Sequence, residues 1–112
     1  MSMDLAVWSE RPFELPRQLP KADSWKCYGK EFAFEGDGWQ VTVLCAIDTA
    51  DVSVVSKLPT AKHVAYVTLE PIGADAPGYT MLENVVRGLS RQAGGVWVDP
   101  SGQGHLHDEG TF

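Results

Sequence analysis

Only one stretch of this chain carries a helical stripe. In "GYTMLENVVRGLSRQAGG" the residues Leu82, Val85, Val86, Leu89 and Ala93 recur at i, i+3, i+4, i+7 and i+11, a single apolar face. The other apolar segments alternate in twos or are rich in β-branched and aromatic residues, as strands are. One helix has one stripe to bury, and the strands need cover for a face of their sheet. The economical packing is a two-layer α+β domain: a mainly antiparallel sheet of about five or six strands, with the helix across one face. The helix is predicted over residues 80–93. Thr80 and Glu83 form a T-x-x-E capping box at its start, and Gly94-Gly95 stops it. Glu83 and Arg87 pair at i, i+4 on its outer face. Gly88 costs ~1 kcal/mol relative to alanine inside a helix, and a close crossing by another element would account for it.

The strands follow in order. "DLAVWS" (4–9) comes first. "KEFAFEGDGWQVTVLCAID" reads as a hairpin turning at Gly36-Asp37-Gly38. Phe32 and Phe34 share a face of its first arm, and Trp39, Val41, Val43, Cys45 and Ile47 alternate with Gln40 and Thr42 in its second. Leu44 and Ala46 interrupt the polar face, which predicts that this end is covered on both sides. "HVAYVTLEPIG" (63–73) is a strand whose ladder ends at Pro71, and "VWV" (96–98) is another. Asp99-Pro100-Ser101-Gly102 has the preferred residues of a type I turn, returning Gly104 to His107 as an edge strand. Pro12, Pro16 and Pro20 make an extended connector with one short turn, its Phe13, Leu15 and Leu19 tucked against the core. "TADVSVVSKLPTAK" is a second connector, with a short helical turn before Pro59.

At 112 residues the chain is expected to form one domain over 1–112, with residues 108–112 trailing as a disordered tail. Apolar runs fall short of the ~18 residues that span a bilayer. Met1-Ser2-Met3-Asp4-Leu5 lacks the basic start and apolar core of a secretory signal, so a cytoplasmic location and no membrane partner are expected. Cys27 and Cys45 have no metal-binding spacing and read as reduced thiols, a single bridge being the alternative.

Charge is uneven. Residues 31–56 hold five acids (Glu31, Glu35, Asp37, Asp48, Asp51) and no base, within a chain of net charge −6. Phosphate backbones are held by Lys and Arg patches, so nucleic acid is excluded as the expected ligand. A concentrated negative field favours a basic partner.

No motif specifies a reaction. Cys45 lies among apolar residues, where a thiol is inert filling. The serines lack a nucleophile elbow, and Gly94-Gly95 follows a helix instead of opening one, so it cradles no phosphate. No catalytic residue and no cofactor are expected. His105, His107 and Asp108 are the most suggestive cluster, because residues two apart on a strand share a side and two imidazoles can meet one metal. A closed zinc site wants four ligands, and the remaining histidine, His63, begins another strand. The four tryptophans are mostly core material. Trp8 and Trp97, however, are out of phase with Leu5 and Val7 and with Val96 and Val98. If those neighbours face the helix, both tryptophans face away, where such residues serve as binding anchors. The expected partner surface therefore comprises Trp8, Glu31, Glu35, Asp37, Asp48, Asp51, Trp97, His105, His107 and Asp108.

"DLAVW", "LPTAKHVAYVTLEPIG", the amphipathic helix and "GGVWVDP" together resemble small immunity proteins of bacterial polymorphic toxin systems, nearest to those of contact-dependent growth inhibition. The resemblance covers residues 4–9 and 60–100, in layout more than identity, and carries over no binding residue. It implies a monomer that binds the toxic domain of a cognate effector one-to-one, often a nuclease, and covers its active site or substrate surface. Such domains tend to be basic, which suits the acidic segment. Two alternatives stay open: a small metal-binding domain or enzyme using His105, His107 and Asp108, and a homo-oligomeric module that pairs strand edges.

Overall fold

The computed structural model describes residues 3–71, 76–107 and 109–110. Seven strands form one antiparallel sheet: β1 (Met3–Ser9), β2 (Lys26–Tyr28), β3 (Glu31–Glu35), β4 (Gln40–Ile47), β5 (His63–Glu70), β6 (Val96–Val98) and β7 (Gly104–Leu106). Their spatial order is β2-β3-β4-β5-β1-β6-β7. The expected α+β layout is present, with one strand more than the sequence suggested. That strand is β2, which pairs with β3 through a two-residue Gly29-Lys30 turn. Gly29 has φ 65° at the first turn position, where a tight hairpin needs a residue tolerant of positive φ.

The main helix, α2 (Ala76–Ala93), crosses one face of the sheet. It starts earlier than the Thr80–Glu83 capping box predicted. Pro77 fits the first turn, where a missing amide hydrogen costs no helical bond, so Thr80 lies inside the helix and Glu83 bonds Arg87 at 2.8 Å. Its C-terminus is the predicted one. Gly94 has φ 63°, and the Gly95 amide donates to the Ser90 carbonyl at 2.7 Å, closing a Schellman motif. A Cβ on Gly95 would sit 2.3 Å from the Trp8 carbonyl oxygen, so only glycine lets the chain pass this close to β1. Gly88 differs: a Cβ there meets nothing within 4 Å, so no crossing element explains it.

Beneath α2 lies the larger core, where Met81, Leu82, Val85, Val86 and Leu89 meet Leu5, Val7, Val41, Val43, Val67 and Leu69. Leu19 is buried in it, and Phe13 and Leu15 pack against it, as the connector pattern predicted. The opposite face has its own, smaller core. The second connector forms the short helix α1 (Val52–Val55). Val54 and Ala61 seal Trp8, Val64 and Val96 there, with Ala50 and Leu58 packed alongside.

That second core corrects the reading of the tryptophans. Trp8 does face away from α2, but it is 7% exposed, buried under α1. Trp97 faces α2 and is 0% exposed. The antiparallel register pairs Trp97 with Val7 and Val96 with Trp8, so Val96 and Val98 take the far side. Helices cover both sides of this sheet, and an out-of-phase aromatic residue therefore need not be solvated. Among the described residues, no helix is long and apolar enough to cross a membrane.

Candidate functional site

The face opposite α2 is covered only at its α1 end. Strand pairing aligns Tyr28, Glu31, Leu44, Tyr66 and Ala6 in one row across β2, β3, β4, β5 and β1. The next row brings Lys26, Ala33, Thr42, Thr68 and Asp4 to the same face. Glu35, Gln40 and Glu70 form a third. Three large apolar or aromatic side chains stand open on this surface: Tyr28 at 57% exposure, Leu44 at 38% and Tyr66 at 37%. The predicted double cover of β4 holds for Ala46, which packs on the α1 core, and fails for Leu44, which lies beyond its reach.

Carboxylates border the open rows. Glu31 and Glu35 lie on β3, Asp4 on β1 and Glu70 on β5, against Lys26 on β2 and Lys62, which stands across the ladder from Asp48. Asp48, just past β4, is held at both oxygens. Its Oδ2 accepts from the Tyr66 hydroxyl at 3.1 Å, and its Oδ1 accepts from the Thr49 amide at 2.8 Å. Burial, reinforced by the bond to Asp48 and its negative charge, raises the Tyr66 hydroxyl above the ordinary phenol range. The phenol therefore stays a donor and keeps Asp48 beside the ring. Of the predicted acids, the fold brings Glu31, Glu35 and Asp48 to this face. Asp37 sits in the exposed β3–β4 turn and Asp51 precedes α1.

The C-terminal cluster is a separate construction. β7 ends at Leu106 and His107 has φ 41°, so the extended backbone needed to put His105 and His107 on one side stops between them. His105 packs against Trp97 at a tilt, with centroids 4.6 Å apart, and its Nε2 lies 2.7 Å from Asp99 Oδ2. That contact, then the Ser101 hydroxyl and the turn amides, holds the Asp99 carboxyl well below the usual carboxylate range. The His107 carbonyl accepts from Trp97 Nε1 at 3.2 Å and from Arg87, whose guanidinium also reaches the carbonyls of Glu109 and Gly110. Among the described residues no three His, Cys, Asp or Glu side chains gather as a metal site, and Asp108 lies outside those residues. Cys27 and Cys45 are free thiols, and burial raises Cys45 above the ordinary thiol range.

Sequence reasoning missed Tyr28, Leu44, Tyr66, Asp4 and Glu70. Phase was the usable signal: Tyr66 and Thr68 alternate with Val67 and Leu69, so they had to face away from the helix. No protein-family model matches the chain, and neither does any curated protein or solved structure.

Proposed function

We propose that the protein is a toxin-neutralising immunity protein. It binds a basic, nuclease-like toxin domain as a one-to-one complex in the cytoplasm and covers that domain's active site or substrate surface. The observation that carries this reading is the open sheet face, where exposed Tyr28, Leu44 and Tyr66 lie among Asp4, Glu31, Glu35, Asp48 and Glu70. Protein interfaces combine an apolar, aromatic centre with a polar rim, and a carboxylate rim selects a cationic partner and speeds its encounter. The other layer has no such acidic excess: α2 carries Glu83 with Arg87 and Arg91, and in the connector beside it Glu10, Glu14 and Asp23 balance Arg11, Arg17 and Lys21. The layout resemblance to immunity proteins supplies the biological setting.

The test is coexpression with the C-terminal domain of the protein encoded by the neighbouring upstream gene, which this reading requires to be toxic. Growth should be restored, and the two chains should co-purify in equal amounts. Continued toxicity with no complex on mixing would show the reading to be wrong.

A further inference from the structure

Resting on the reading of the partner as a basic protein, we propose that Tyr66, Leu44 and Asp48 form a docking site for an arginine side chain on the open face, where it borders the α1 core. The occupant is a guanidinium of the partner, lying flat on the Tyr66 ring and Leu44 and paired with Asp48.

Geometry selects arginine over lysine. Tyr66 and Leu44 are direct cross-strand partners, so the phenol ring and the isobutyl group adjoin as one platform. Asp48 stands at the hydroxyl end of that platform, 3.1 Å from the Tyr66 oxygen. A planar guanidinium both stacks on an aromatic face and offers a two-pronged fork to a carboxylate, whereas an ammonium is a compact, strongly hydrated charge. Asp48 has room for that fork, because a carboxylate offers about four lone-pair sites and its two protein bonds come from Tyr66 and Thr49. Those bonds fix the carboxylate before any partner arrives, which lowers the ordering cost of binding. Glu31 follows on the far side of Leu44, in the same row, and adds a second negative charge along the platform. Thr42 and Thr68 line the next row, leaving the Tyr66 ring without bulky neighbours there. Charge complementarity is the argument for the occupant: Asp4, Glu31, Glu35, Asp48 and Glu70 outnumber Lys26 and Lys62, the latter across the ladder from Asp48, among the described residues of this face.

The test titrates the isotope-labelled chain with hexa-arginine and hexa-lysine peptides at low ionic strength, following methyl, aromatic and amide resonances. Hexa-arginine should shift Leu44, Tyr66 and Asp48 first and bind about threefold or more tightly than hexa-lysine. Tyr66→Ala should remove that preference, Tyr66→Phe should keep most of it through the ring, and Asp48→Asn should weaken hexa-arginine by a similar factor. Circular dichroism checks that each variant is folded. The proposal is overturned if the shifts centre on residues 51–55 or 99–109, if the two peptides bind equally, or if Tyr66→Ala binds as the parent does. Growth protection separates the two ideas. Protection that survives Tyr66→Ala with Asp48→Asn contradicts the site and spares the function, whereas arginine-selective binding at this face without protection contradicts the function and spares the site.

Discussion

Gly88 sits inside α2 with open space where its side chain would be. Glycine is disfavoured in a helix because it has most backbone freedom to lose, so Gly88→Ala should stabilise the protein by about 0.5–1 kcal/mol. Urea unfolding would read this as a higher midpoint at unchanged slope. Asp99 is the opposite case, a residue whose charge is built into the fold. One of its oxygens accepts from the Ser101 amide, the Ser101 hydroxyl and the Gln103 amide, while the other meets His105. Its carboxyl ionises more readily folded than unfolded, so the stabilisation is present above the unfolded value of about 3.9 and is lost as pH falls below it. Asp99→Asn removes the acceptor facing His105. It should lower the thermal midpoint at neutral pH, and the gap to the parent should narrow as the pH drops below about 4.

At the level of elements, α1 converts half of the second sheet face into core. Its Val54 is fully buried against Trp8, Val64 and Val96, while Val52 and Val55 face solvent. Val54→Ala should cost about 2 kcal/mol, and Trp8 fluorescence should shift to longer wavelength as water reaches the indole. This element also marks where sequence reasoning ran out. The helix stripe, the β3–β4 hairpin and the Asp99 turn were legible because each rests on local chemistry: a period, a glycine, an aspartate that bonds its own turn. The three-residue β2 was not, since Lys26, Cys27 and Tyr28 carry no alternation and only Gly29 hinted at a turn. Nor was the burial of Trp8 and Trp97, because the side each takes depends on which strand it pairs with and on what α1 covers. Phase along one strand says which residues share a face. It does not say which face stays open.

For the whole molecule, the consequence is a sheet with one face closed by α2 and the other closed only at its α1 end. The acids that stood out in the sequence separate into Glu31, Glu35 and Asp48 on the open part and Asp37 and Asp51 at its margins. Asp4 and Glu70 join the first group through pairing between distant strands. An arginine at Leu44 would stand on the open face, placing a like charge and excess bulk against the proposed basic partner without disturbing either core. Calorimetric titration of Leu44→Arg and the parent with the proposed toxin domain, at low and high salt, decides whether this face docks the partner. The parent should bind one-to-one with affinity that falls as salt rises, and Leu44→Arg should bind about thirtyfold or more weakly. Equal binding by both proteins, or affinity indifferent to salt, would contradict the assignment of the open acidic face as the docking surface.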